Sequence, residues 1–241
     1  MEGLGGSQGK RAKIETFSVP FPLGEIKENI TINSNTEKKL TKEEIINQAF
    51  KFHSEGKIKD AERYYKYFID QGFDDPRVFS NYGVILKQSG ETDKAIKLYK
   101  KSITLFPNIS DAYCNLGTIL KNIGNLKEAE VYTRKAIKLK PDYAEAYYNL
   151  GNVLRETGDL KEAEKFTREA IKLKSDFPEA YNNLGLILRG LGNLKEAEKY
   201  TRKAIQLKPN FSDSYSNLGL ILRDSGYLKE GEISIKKAIE I

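Results

Sequence analysis

From Lys42 onward the apolar residues recur with the period of amphipathic helices, and the whole pattern then repeats on a longer period. In AEAYYNLGNVLRETGDLKEAEKFTREAIKLKSDF, residues 144–177, the side chains of Ala146, Tyr147, Leu150, Gly151, Val153 and Leu154 fall on one arc at about 100° per residue. A glycine turn and a second amphipathic run follow. Gly83, Gly117, Gly151, Gly185 and Gly219 are spaced by 34 residues, and Gly90, Gly124, Gly158, Gly192 and Gly226 follow seven residues behind them. The spacing predicts an all-α chain of tandem helix-turn-helix repeats at 42–75, 76–109, 110–143, 144–177, 178–211 and 212–241, the last incomplete. One such repeat cannot bury its apolar face alone, so neighbours must stack into an α-solenoid. Positions below are counted from the first residue of each repeat.

Position 8 of the first helix is glycine in five repeats and Ala49 in the first. Glycine inside a helix costs roughly 1 kcal/mol relative to alanine, so another backbone must approach closely there. The predicted partners are Ala95, Ala129, Ala163, Ala197 and Gly231 at position 20, continued by Ala136, Ala170, Ala204 and Ala238 at position 27. Asn125, Asp159 and Asn193, each three residues before a glutamate, predict N-caps for second helices. Asp142 and Asp176 predict the same for first helices. Gln48 and Phe68, at positions that are leucine and alanine in the last four repeats, mark the first repeat as a cap.

Composition changes this picture little. The chain is 31% charged, and no apolar run approaches the ~18 residues of a membrane span. The first 41 residues, rich in glycine, serine, asparagine and charge around Phe17, Val19, Phe21 and Leu23, read as a mostly disordered tail. No secretory signal is legible, and a lone Cys114 cannot form an intrachain disulfide, so a cytoplasmic setting fits. The net charge of +6 is 40 basic residues against 34 acidic ones, interleaved. With Tyr148 the only aromatic at position 5, the face lacks a stacking ladder, which points away from nucleic acid.

Spacing, both glycines, the alanines and the closing Pro107, Pro141 and Pro209 resemble the tetratricopeptide repeat over residues 42–241. The resemblance implies a right-handed superhelix whose concave groove is lined by positions 2, 5, 6, 9, 12 and 13. Tyrosine or phenylalanine stands where the family has Trp at position 4. Thr133, Thr167 and Thr201 occupy position 24, where the family favours an aromatic; Tyr132, Phe166 and Tyr200 precede them, which suggests a slightly rotated second helix.

The chain offers one histidine, one cysteine, no metal-ligand spacing and no phosphate-binding glycine loop, so it reads as a non-enzyme without cofactor or metal. His53 and Cys114, on the polar arc, read as ordinary surface residues. Position 6 is asparagine in every repeat: Asn47, Asn81, Asn115, Asn149, Asn183 and Asn217. An amide both donates and accepts, so a ladder of solvent-facing amides suits an extended peptide backbone. The wording YNNLG and SNLG is similar to the bacterial-type tandem repeats found in the recognition arm of O-linked N-acetylglucosamine transferase, where such asparagines hold peptide; the resemblance implies the same here. Local bonding between helices is the alternative account. Lys87, Lys121, Arg155, Arg189 and Arg223 at position 12 form a second ladder that would attract acidic segments, or would simply complement the helix dipole.

Together these features predict a scaffold that binds an extended, acidic segment of another protein, the alternative being the substrate-recognition arm of an enzyme whose catalytic domain lies elsewhere. Glu130 with Arg134, Glu164 with Arg168 and Glu198 with Arg202 predict a solvated outer face. Leu218, Ile221, Leu222, Ile233, Ile235 and Ile239 have no following repeat, which predicts exposed apolar surface and either self-association through residues 212–241 or fraying there.

Overall fold

The computed structural model describes residues 40–241; the predicted tail and its apolar cluster lie outside the described residues. Twelve helices and no strand are found among them: α1 (Lys42–Ser54), α2 (Ile58–Asp70), α3 (Pro76–Gln88), α4 (Thr92–Leu105), α5 (Ser110–Asn122), α6 (Leu126–Leu139), α7 (Ala144–Thr157), α8 (Leu160–Leu173), α9 (Pro178–Gly190), α10 (Leu194–Leu207), α11 (Ser212–Asp224) and α12 (Leu228–Glu240). The chain forms two compact bodies, one ending at Phe68 and the other running from Ile69 to Ile241.

In the first body, Thr41 and Glu44 form a reciprocal capping box that starts α1. Ile45, Ile46, Ala49, Phe50, Ala61, Tyr64, Tyr65 and Phe68 are buried between α1 and α2. Phe68, at a position where other repeats have a small residue, is fully buried here.

The second body is an α-solenoid of tandem helix hairpins. Each helix packs against the next in sequence, and each first helix also touches the first helix of the next hairpin. Gly90, Gly124, Gly158, Gly192 and Gly226 adopt positive φ between the two helices, the left-handed conformation that suits glycine. Second helices α6, α8 and α10 begin directly after Asn125, Asp159 and Asn193, yet only Asp159 accepts from a helix amide, that of Glu162 at 3.3 Å. First helices α7 and α9 begin one residue later than the predicted Asp142 and Asp176 caps require. Tyr143 and Phe177 occupy those N-cap sites instead. Tyr143 donates its hydroxyl to Asp111 at 2.7 Å, and Phe177 packs on Tyr148 with ring centroids 5.0 Å apart. Burial of a ring, not a side-chain cap, fixes where these helices start.

The predicted seam is present. Ala95, Ala129, Ala163 and Ala197 are wholly buried. A Cβ on Gly117 would lie 3.1 Å from the Ala129 carbonyl oxygen, one on Gly185 3.2 Å from that of Ala197, and one on Gly219 2.9 Å from that of Gly231. The nearest group to Gly117, Gly151 and Gly185 is the hydroxyl of Thr133, Thr167 or Thr201, and to Gly83 the ring of Tyr99. Threonine and aromatic at position 24 therefore face the same glycine, and the second helices are not turned by the substitution. The preceding ring instead pairs with position 4: Tyr113 with Tyr132, Tyr147 with Phe166 and Tyr181 with Tyr200, at 6.2, 6.0 and 6.1 Å.

The exposed-end expectation holds only for α12. Leu218, Ile221 and Leu222 are buried, whereas Ile233, Ile235 and Ile239 are 67%, 37% and 81% exposed. The inward face of α11 is satisfied within its own hairpin and the one before it.

Gly151→Ala should destabilise the protein by about 1–3 kcal/mol through overpacking, even though alanine is the better helix former. In a Thr167→Ala background, with the opposing hydroxyl gone, the same substitution should cost at least ~1 kcal/mol less. Urea unfolding of the four proteins measures the coupling; strict additivity would place the close contact elsewhere.

Candidate functional site

The polar arc of first helices α3, α5, α7, α9 and α11 is built by a simple register. Successive first helices meet one position out of step, so partners are separated by 35 residues and not by the 34 of the repeat. The Asn149 amide donates to Cys114 Sγ at 3.2 Å, that of Asn217 donates to Asn182 Oδ1 at 2.9 Å, Lys121 pairs with Glu156 at 3.3 Å and Arg189 pairs with Asp224 at 2.6 Å. Each bond crosses from one first helix to the next.

This register decides what the asparagines do. Asn149 also donates to Thr118 at 2.9 Å and is half-buried. Asn183 is 4% exposed and lies 3.4 Å from Thr167 Oγ1, and Asn81 is 2% exposed with its amide nitrogen unpaired among the described residues. The expectation that all these amides face solvent is therefore corrected for Asn81 and Asn183, which the hairpins enclose. Asn115 is half-buried like Asn149, but has no side-chain hydrogen bond among the described residues. Asn47 is exposed on the first body.

The cation ladder divides in the same way. Lys121 and Arg155 share Glu156, the latter at 3.9 Å, while Arg189 and Arg223 share Asp224, the latter at 3.4 Å. The residues 35 beyond Lys87 and Arg155 are Asn122 and Gly190, which carry no charge. Arg155 accordingly leaves its Nε buried and unpaired among the described residues. Lys87 is exposed by area, yet its ammonium pKa is lowered, first by the desolvation around it and then by the neighbouring Lys121.

Two residues read as surface groups prove otherwise. Cys114 is 2% exposed, and burial pushes its thiol pKa up to about 11, partly opposed by the Asn149 hydrogen bond. His53 is half-buried, its Nδ1 3.0 Å from the Tyr65 hydroxyl, and burial lowers its pKa. Neither is placed as a nucleophile or ligand, and no cluster of three or more potential metal ligands occurs among the described residues. Partners such as Asn182 at position 5 and Thr118 at position 9 were not singled out by the sequence; the 35-residue offset would have found Asn182, while Thr118 lies 31 residues before Asn149.

The opposite face carries more than solvated pairs. Arg134 holds Glu130 at 2.9 Å in its own helix and reaches Glu162 of the next second helix at 3.0 Å. Arg168 holds Glu164 and Glu196, each at 2.8 Å, and donates to the Tyr200 hydroxyl at 2.8 Å. Both guanidinium groups also lie over the aromatic ring of the next hairpin, Phe166 and Tyr200, at 5.3 and 5.2 Å. The predicted intrahelical pairs thus also tie one second helix to the next.

No described helix is long and apolar enough to cross a membrane. The tetratricopeptide repeat model matches residues 110–143, 144–177 and 178–211; a second tetratricopeptide repeat model matches 76–109 and 212–241, and a TPR repeat model matches 129–158. No curated protein matches the chain. Among solved structures, MamA is 31% identical, with 66% of this chain and 92% of that chain covered at a TM-score of 0.58. YrrB, described as a TPR protein with an unusual peptide-binding site, is 23% identical, with 73% and 91% covered at 0.57. A tetratricopeptide repeat protein from Parabacteroides merdae is 17% identical, with 83% and 79% covered at 0.68. With repeat models matching from residue 76 to residue 241, the chain belongs to the tetratricopeptide repeat family.

Proposed function

We propose that the first-helix face of residues 76–241 is the working surface of a protein-interaction scaffold, and that it holds an extended, acidic segment of a partner protein. The observation that carries the reading is the incomplete neutralisation of the position-12 ladder. Four of its five cations share Glu156 and Asp224, with Arg155 held only at 3.9 Å, and the register leaves Lys87 and Arg155 facing neutral positions. A cation left without a carboxylate on a partly desolvated surface gains most from an incoming one. Asn115 lies on the same face with its amide free to bond a backbone, and is the asparagine best suited to peptide contact. Asn149 and Asn217 spend amide protons on neighbouring helices, and Asn81 and Asn183 are enclosed; their share in binding is indirect, through the spacing of the first helices. The reading is of a binding module without chemistry of its own, in a reducing, cytoplasmic setting that the lone buried thiol suits.

Selection from a displayed library of random extended peptides tests this. Enriched sequences should carry aspartate or glutamate, and Lys87→Glu with Arg155→Glu should reduce their retention on the order of tenfold, with a weaker salt dependence of what binding remains. Enrichment without acidic preference, or retention indifferent to the reversals, would overturn the proposal.

The asparagines separate by stability as well as by binding. Asn149→Ala should cost about 1 kcal/mol, because it strands the groups that its amide bridges. Asn115→Ala should leave the melting temperature within about 1 °C of the parent and still weaken peptide retention. Thermal melts beside the same retention assay report both.

A further inference from the structure

The outer stripe of α12 is built to receive a helix. Leu228, Ile235 and Ile239 are 65%, 37% and 81% exposed. At about 100° per residue they fall within a narrow strip on one side of the helix. In earlier hairpins the positions of Leu228 and Ile239 are covered by the following first helix, whereas Ile235 also lies against Gly219 of its own hairpin. Leu160 lies against Gly190 of α9, Ile137 packs on the cluster of Leu150 and Leu154, and Ile171 on that of Leu184 and Leu188. Helices joined by such short turns run antiparallel, so the stripe is shaped for an antiparallel neighbour.

The charges beside the stripe say which neighbour. Lys229, Glu232, Lys236 and Glu240 form one flank of α12. When two copies of a helix pack antiparallel about a two-fold axis, each flank faces itself in reverse order. Lys229 then meets Glu240 of the second copy, and Glu232 meets Lys236. The three preceding second helices do not have this property. The corresponding flank reads Lys127, Glu130, Arg134 and Lys138 in α6, Lys161, Glu164, Arg168 and Lys172 in α8, and Lys195, Glu198, Arg202 and Gln206 in α10. Reversal there sets lysine against lysine or against a neutral amide. In α6 and α8 the inner pair is already tied to the next hairpin, whereas Glu232 and Lys236 bond to each other at 2.7 Å with side chains 66% and 67% exposed.

We propose that α12 is a self-association helix, which pairs antiparallel with α12 of a second copy of this chain. Leu228 of each copy packs towards Ile239 of the other, with Ile235 near the centre, and the two sets of charge pairs run along one edge. Parallel pairing would set this flank against the opposite one, which carries Gly231, Ser234 and Ala238, and would form none of these charge pairs. An interface about one helix long lies at the small end of specific interfaces, so association is expected in the micromolar range, ~10 μM.

Sedimentation of the full chain at low ionic strength, over concentrations either side of that value, should show a monomer–dimer equilibrium. Glu232→Lys alone and Lys236→Glu alone should each raise the dissociation constant about tenfold or more, since two like-charge contacts replace two opposite ones. An equimolar mixture of the two variants should associate again, because every charge then faces its opposite across the pair. Circular dichroism of each variant checks that α12 stays helical. Ile239→Asp should abolish association in either background. A parent chain that remains monomeric at all concentrations, including one whose α12 amides are protected from exchange by another segment of the same chain, overturns the proposal. So does a dimer that ignores both reversals, or a mixture that fails to regain association.

Discussion

The close approach at position 8 is the constraint from which the rest of the second body follows. Where a first-helix glycine lies against the carbonyl of Ala129, Ala163 or Ala197, the two helices of a hairpin meet nearly backbone to backbone. Only a side chain that can lie beside a glycine fits at position 24. Threonine does so by turning its hydroxyl back onto its own helix, as Thr133 does to the Ala129 carbonyl at 2.7 Å, and Tyr99 does so by laying a flat ring along it. The large ring that the hairpin still needs is displaced to position 23, where it closes on the position-4 tyrosine. The glycine's intrinsic cost to the helix is thus offset by packing that a larger residue would prevent.

Tight hairpins fix how neighbouring hairpins meet. Second helices are linked by arginines that reach 28 residues ahead, Arg134 to Glu162 and Arg168 to Glu196. First helices are linked 35 residues ahead, by Asn149 to Cys114, Asn217 to Asn182, Lys121 to Glu156 and Arg189 to Asp224. These two offsets differ because the faces lie on opposite sides of the stack. Residues at the same repeat position are therefore not each other's partners, and a ladder in the sequence is a different object from a ladder of contacts.

That difference explains what the sequence disclosed. Hairpins, turns and seam were legible because they are written in glycine and alanine, whose small size has one structural use at a buried helical position. Cap chemistry was misleading: Asp142 and Asp176 have the right side chain, but half-buried Tyr143 and buried Phe177 occupy the N-cap sites one residue later. His53 and Cys114 were misplaced because a helical wheel knows only its own helix, whereas His53 is held by Tyr65 of α2 and Cys114 by a helix from the next repeat. The candidate site was legible as a face and not as a set of contacts, since burial of Asn183 and exposure of Asn115 depend on neighbours one repeat away.

The same geometry gives meaning to a net charge that composition left ambiguous. Basic and acidic residues alternate along the chain, so +6 on its own argues for no particular partner. Folded, the ion pairs divide by face. On the second helices, Arg134 and Arg168 each contact two carboxylates; at the starts of first helices α7 and α9, Glu145 and Glu179 are answered by Lys174 and Lys208 at 2.9 Å. On the first helices, Glu156 and Asp224 serve four cations of the position-12 row between them, and Lys87 has neither. Exposed pairs of the first kind add little stability each but hold consecutive hairpins in register. With that register held, the excess cations stay aligned on one face, so a modest net charge can act as a directed one.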